Sequence, residues 1–135
     1  MTKRGVARIS VSVSPELLKE FDATVKRMGF DRSKAVQAAM RNFLTDFRLQ
    51  EGRGTVAGAL VMVYDHKVKG LEETLTDLQH RFESVISSTM HIHLSKHNCL
   101  EIVAVRGEVK EIQALAQKLM TERGVKQLKQ VIVMP

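Results

Sequence analysis

Polar and apolar side chains alternate strictly in Arg8-Ile9-Ser10-Val11-Ser12-Val13, so Ile9, Val11 and Val13 share one face and Arg8, Ser10 and Ser12 the other. This is the pattern of a half-buried strand. Ser14-Pro15-Glu16 then starts a helix, with Ser as N-cap, Pro at the first helical position and Glu near the positive dipole end. Leu18, Phe21, Val25 and Met28 recur at helical spacing, and Gly29 ends the run. Asp31 or Ser33 can cap a second helix, whose apolar stripe is Val36, Ala39, Met40, Phe43, Leu44 and Phe47.

Gln50-Glu51-Gly52-Arg53-Gly54-Thr55 has two glycines and no large apolar residue, the composition of a linker. Beyond it the pattern changes. Val56–Tyr64 is an apolar, β-branched run expected to be a buried strand, and a helix is expected from about Val68 to Ile86 with Leu71, Leu75, Leu78, Phe82 and Val85 inward. Strands are predicted at Met90–Leu94 and Leu100–Val105, joined by the turn Ser95-Lys96-His97-Asn98. A helix at Glu108–Arg123, burying Val109, Ile112, Leu115, Leu119 and Met120, ends before Gly124, and Leu128–Met134 closes as a strand. The predicted organisation is a first domain at 1–50, a linker at 51–55 and a second domain at 56–135. The class is α+β, a strand-helix-helix unit followed by βαββαβ. The second order resembles the small regulatory domains called ACT.

The first unit's single strand has no partner within the unit, which leaves its backbone groups unpaired. A second copy of the chain is the simplest remedy. Two such strands paired antiparallel lay Ile9, Val11 and Val13 on the helices and turn Arg8, Ser10 and Ser12 outward, as a ribbon that fits the DNA major groove. This resembles the ribbon-helix-helix fold of bacterial and archaeal repressors, and Gly29-Phe30-Asp31-Arg32-Ser33 matches the turn into its second helix. The resemblance implies that Arg32 and Ser33 anchor a DNA phosphate.

Charge agrees with this division. Residues 1–50 carry 10 basic and 5 acidic side chains, a net +5, whereas residues 51–135 carry 11 and 10, a net +1. A basic first third beside a nearly neutral remainder suggests that one module meets a polyanion. Met1–Ala7, with Lys3 and Arg4, is expected to be a basic arm adjusting DNA affinity. Aromatics are 4% with no Trp, which disfavours stacking on single strands. No apolar run reaches the roughly 18 residues of a membrane span and Met1–Gly5 has no signal core, so no membrane partner and a cytoplasmic location are expected. The lone Cys99 cannot form an internal disulfide.

Metal-ligating side chains cluster at His80, His91, His93 and Cys99. His91 and His93 share one strand face, and Cys99 and Glu101 share a face of the next strand. A hairpin that pairs 93 with 99 sets 91 opposite 101, with opposed Cβ atoms roughly 5 Å apart, within reach of one ion. The patch is expected opposite the Ile92/Leu100/Ile102 side, on the sheet face left open by the helices. His80 lies about 200° around its helix from Leu78, pointing away from its own core and toward a neighbouring subunit. Imidazoles with a thiolate suit Cu, Ni, Co or Zn rather than Mg or Ca. His66 and His97 are expected to be ordinary surface histidines.

The motif His80, then His91-x-His93-x5-Cys99-x-Glu101, is similar to that of the nickel-responsive transcriptional regulators (NikR), over nearly the whole chain. The resemblance implies one Ni(II) per subunit, bridging two subunits, with His91, His93 and Cys99 from one and His80 from another in a square plane. Gln79 and Glu101 match positions that orient the ligands, and Tyr64 a position near the site. It further implies a homotetramer, a dimer of dimers, that binds a palindromic operator in double-stranded DNA and represses nickel-uptake genes. Two features depart from some relatives. His80 is followed by Arg81-Phe82-Glu83 rather than a histidine run, and Ser33–Ala38 lacks the carboxylates of a second cation site.

Two other readings compete. One is a ribbon-helix-helix regulator whose ACT domain senses another metal (Cu, Co, Zn) or a small metabolite. The other is a metalloenzyme, which the motifs disfavour: four protein donors leave no open coordination position, and no Ser/His/Asp or paired-carboxylate set is present. The expectation is a regulator and not an enzyme.

Overall fold

The capping signals act where the sequence places them. In the computed structural model, which describes residues 5–134, helix α1 spans Pro15–Arg27, and the Ser14 hydroxyl accepts a hydrogen bond from the Leu17 N–H at 3.3 Å. Helix α2 spans Arg32–Glu51, with Asp31 as its cap: the Lys34 N–H donates to Asp31 Oδ1 at 2.7 Å. The chain divides into two compact units, Met1–Ala39 and Met40–Pro135.

Within the first unit, the strand expected at Arg8–Val13 does not form: residues 5–14 carry no regular secondary structure in the single chain. The reason is backbone pairing, since one strand has nowhere to direct its ladder hydrogen bonds. Met1–Arg4, most of the expected basic arm, lies outside the described residues.

The second unit contains strands β1 (Thr55–Asp65), β2 (Ile86–His93), β3 (Asn98–Glu108) and β4 (Val125–Val133), with helices α3 (Leu71–Arg81) and α4 (Val109–Met120). The order βαββαβ is the expected one. The sheet is antiparallel throughout, in the order β2-β3-β1-β4. Helix α3 is shorter than its apolar period suggests, because Gly70 takes a left-handed conformation (φ 80°) at its start and the chain turns at Phe82. Val85 is buried beyond the helix end, and β2 begins at Ile86 rather than Met90. Met120, expected inward, is exposed, and Ala116 is buried on α4.

One face of the sheet carries the core. Leu60, Met62 and Tyr64 on β1 lie opposite Val103, Glu101 and Cys99 on β3, and all six are buried. Leu71, Leu75 and Leu78 of α3 and Ile112, Leu115 and Leu119 of α4 belong to the same cluster. Burying apolar surface at about 25 cal/mol per Å² makes this face the main source of the unit's stability. Gly124, before β4, has φ +99°, and a Cβ there would stand 2.8 Å from Leu71 Cδ2, so both backbone and packing require glycine. Among the described residues, no helix is long and apolar enough to cross a membrane.

Candidate metal centre

The hairpin of β2 and β3 sets the register. His91 lies opposite Glu101 and His93 opposite Cys99, the one register considered above that sets all four side chains in one patch. The face is not the anticipated one. Cys99 and Glu101 lie on the helix-covered side with Val103 and Val105, whereas Leu100 and Ile102 lie on the other side. Both faces of β3 carry apolar residues, so strand alternation separates the faces without saying which one is covered. The large side chains of β1 in register with Val103, Glu101 and Cys99 decide it. His91 and His93 are nonetheless exposed, because β2 is an edge strand exposed along most of its length.

Glu101 is an ionisable side chain that is nonetheless buried (2% exposed), and its partners explain how. Gln79 Nε2 donates to Glu101 Oε1 at 2.6 Å, and His91 Nε2 lies 3.3 Å from Glu101 Oε2. Burial raises the Glu101 carboxyl above the usual carboxylate range, opposed by the Gln79 hydrogen bond and by His91. The Tyr64 hydroxyl is 2.9 Å from His91 Nε2. Burial, then the nearby Glu101 and Cys99, hold the Tyr64 phenol far above its ordinary range, so it stays protonated. Tyr64, Gln79, His91 and Glu101 thus form one group of polar contacts linking β1, α3, β2 and β3.

Cys99 is a free, buried thiol, with Sγ 3.5 Å from His93 Nδ1. His66, expected to be an ordinary surface residue, lies beside this pair. Donor atoms of His66, His93 and Cys99 all fall within 4.8 Å of one another. The His66 and His93 rings meet edge to face at 5.8 Å. No periodicity marks His66; only its position just after β1, at the end of the sheet near Asn98, does so. His66 Nε2 donates to the Lys96 carbonyl at 2.7 Å, and its N–H to the His97 carbonyl at 2.9 Å. His80 is exposed in the last turn of α3, next in sequence to the Gln79 anchor, and does not join this group. Converging imidazoles and a thiol fit a late first-row metal ion and do not suit Mg or Ca.

The residues expected at DNA are placed separately. Arg8, Ser10 and Ser12 are exposed in the irregular segment. Arg32 begins α2 with its guanidinium bidentate on Asp22, at 3.1 and 2.7 Å. The Ser33 hydroxyl accepts from Gln37 Nε2 at 3.2 Å. Arg32 in turn holds the Asp22 carboxyl below its ordinary value, chiefly through this hydrogen bond.

Comparison with known proteins bears on both fold and chemistry. Residues 57–133 match the family model of the NikR C-terminal nickel binding domain. A protein of Methanothrix thermoacetophila named "Putative nickel-responsive regulator" is 40% identical over 129 residues, 94% of this chain and 92% of that one. A Pyrococcus furiosus protein of the same name is 37% identical, over 95% and 94%. Among solved structures, the ACT domain of a Chlorobium tepidum GTP pyrophosphokinase aligns with a TM-score of 0.51 at 14% identity, covering 58% of this chain and all of that one. An uncharacterized Thermotoga maritima protein aligns at 0.53 and 19%, covering 58% of this chain and 98% of its own. At such identities the two structures speak for the fold alone. With its ACT-like sheet, its His/Cys hairpin and relatives matched along almost their whole length, the chain belongs to the NikR family of nickel-responsive regulators, which are not enzymes.

Proposed function

We propose that this protein is a nickel-dependent, DNA-binding repressor of nickel-uptake genes, acting in the cytoplasm as a homotetramer. The observation that carries the reading is the hairpin register, which gathers His91, His93, Cys99 and Glu101 on one face of β2 and β3. In this reading His91, His93 and Cys99 of one subunit and His80 of another hold one Ni(II) per subunit. The ion supplies a bond between subunits. Gln79 and Glu101 orient the site: their 2.6 Å hydrogen bond ties the C-terminal end of α3 to β3, next to His80. Tyr64 holds His91 on the opposite side.

The domains are 1–50 for DNA, 51–55 as linker and 56–135 for metal and assembly. Residues 8–13 pair with the same residues of a second copy as a ribbon. Arg8, Ser10 and Ser12 then face the major groove, and Arg32 and Ser33 meet a phosphate. Nickel favours repression only to the extent that it binds the DNA-competent arrangement of the two ribbon dimers more tightly than the others.

The test is fluorescence anisotropy of the full chain on promoter DNA of a nickel-uptake gene, with and without nickel. Tight binding is expected only with nickel, and His91→Ala and Cys99→Ala each remove that dependence. An unchanged metal response in both variants overturns the reading. A thiolate charge-transfer band with square-planar d–d features on nickel titration supports the ligand set, and its absence counts against it.

A further inference from the structure

The segment Gln50–Thr55 has a linker's composition, yet it is bonded from several sides. The Arg48 guanidinium donates from Nη1 to the Thr55 carbonyl at 3.0 Å, and the Arg53 N–H donates to the Arg48 carbonyl at 3.2 Å. On α4, Gln113 Nε2 donates to the Leu49 carbonyl at 3.1 Å, and the Val109 N–H donates to the Gly54 carbonyl at 2.9 Å. The Leu49 side chain packs against the buried cluster of the second unit. All of these groups lie within that unit, Met40–Pro135. We infer that Arg48 and Gln113 are positioning residues, which clamp the last turn of α2 to β1 and α4 and so fix the direction in which that helix leaves the second unit. The inference deepens the proposed function and rests on it for DNA and nickel as the ligands.

The local chemistry explains why the clamp is firm. A helix ends with carbonyls that have no partner inside the helix. In the last turn of α2 the Arg48 carbonyl takes the Arg53 N–H across Gly52 (φ 65°), and the Leu49 carbonyl takes the Gln113 amide. Arg48 and Gln113 are both half-buried, and the Arg48 bond has a charged donor, which strengthens it. The Arg48 stem lies so close over Gly54 that a Cβ there would stand 3.2 Å from Arg48 Cδ. The glycines that make the segment look flexible therefore serve a tight turn and a close approach.

The consequence is leverage. Helix α2 has 20 residues, so it is about 30 Å long, and a tilt of about 10° at its last turn moves its first turn by about 5 Å. That first turn holds Arg32 and Ser33, the proposed phosphate contacts, and 5 Å is more than a hydrogen bond spans. With the clamp closed, the spacing of the two DNA-binding ribbons is set before DNA arrives. With it open, DNA binding must pay to order the exit of α2, so affinity and selectivity for one half-site spacing fall together. The proposed nickel ligands are other residues, on α3, β2 and β3, so nickel binding without DNA does not depend on the clamp.

The test uses the nickel-loaded full chain on promoter DNA of a nickel-uptake gene and on the same DNA with one base pair added between the half-sites. Gln113→Glu keeps the side chain's size but turns a carboxylate on the Leu49 carbonyl. Arg48→Met keeps a stem over Gly54 and removes the guanidinium. Each is expected to weaken binding to the natural spacing by more than about tenfold and to cut the preference over the respaced DNA at least about fivefold, with nickel stoichiometry and spectrum unchanged. Arg48→Lys, which keeps a donor for the Thr55 carbonyl, should recover most of that preference. Hydrogen exchange of the wild type, which depends on no variant, should show the Arg53 and Val109 amides at least about a hundredfold slower than in an unstructured chain. Free exchange of those amides overturns the proposal, as does an unchanged spacing preference in both variants. An equal loss on both DNAs also overturns it, since that marks altered charge alone. Wild-type DNA binding indifferent to nickel would instead overturn the proposed function, leaving the exchange result readable.

Discussion

The two units of this chain make opposite use of similar apolar residues. In the second, β1, β3, α3 and α4 close a continuous core in which Leu60, Val103 and Leu115 are fully buried. In the first, Val25 is the one buried apolar side chain among the described residues, while Ile9, Val11 and Val13 are 67%, 69% and 47% exposed. The helices of the first unit are well capped, but capping contributes about 1 kcal/mol per end and does not replace a core. The difference teaches that one sequence can encode a unit that closes its own core together with one that leaves its apolar face exposed in the single chain.

Breaking the self-sufficient half should have the largest effect. Leu115→Ala opens a cavity in the packed face and should cost about 2–5 kcal/mol, measured by urea unfolding of the metal-free protein. A cost below about 1 kcal/mol would mean that the second unit is not held by this core. Next comes Val11→Asp, which in a paired ribbon forces a carboxylate against the helices, at a cost of at least about 2 kcal/mol. DNA binding should fall more than about thirtyfold with nickel stoichiometry unchanged; full DNA affinity would remove the case for a second copy.

Ser14→Ala should cost about 1 kcal/mol, read as lost helical signal in circular dichroism, by removing the cap on the Leu17 N–H. The smallest effect belongs to the exposed Asp22–Arg32 pair. Asp22 is lowered from 3.8, so its contribution is present above that pH and lost as pH falls through the lower folded value. Asp22→Asn should flatten the acid limb of the stability curve in that window, and an unchanged limb would show the pair to be idle.

Much of the site could be read from the residue pattern. The two-residue period of strands places His91 with His93 and Cys99 with Glu101, and once His93 pairs with Cys99 it opposes His91 with Glu101. His66 could not be found that way. It is brought to Cys99 by β1 pairing with β3, a contact between segments more than thirty residues apart, and by hydrogen bonds to carbonyls that carry no side-chain identity. The early end of α3 was also hidden, since Phe82 and Val85 continue the helical period of Leu75 and Leu78 while the backbone turns beneath them.

By itself, then, the sequence determined the order of elements in the second unit, the starts of α1 and α2, which residues share a strand face and the donor types, because these follow from local periodicity and side-chain chemistry. The tertiary structure decided which sheet face the helices cover, and so why Glu101 is buried against Gln79. It also decided that His66 stands with His93 and Cys99. Alternation along a strand defines two faces equally well; only packing between distant elements makes one of them the inside.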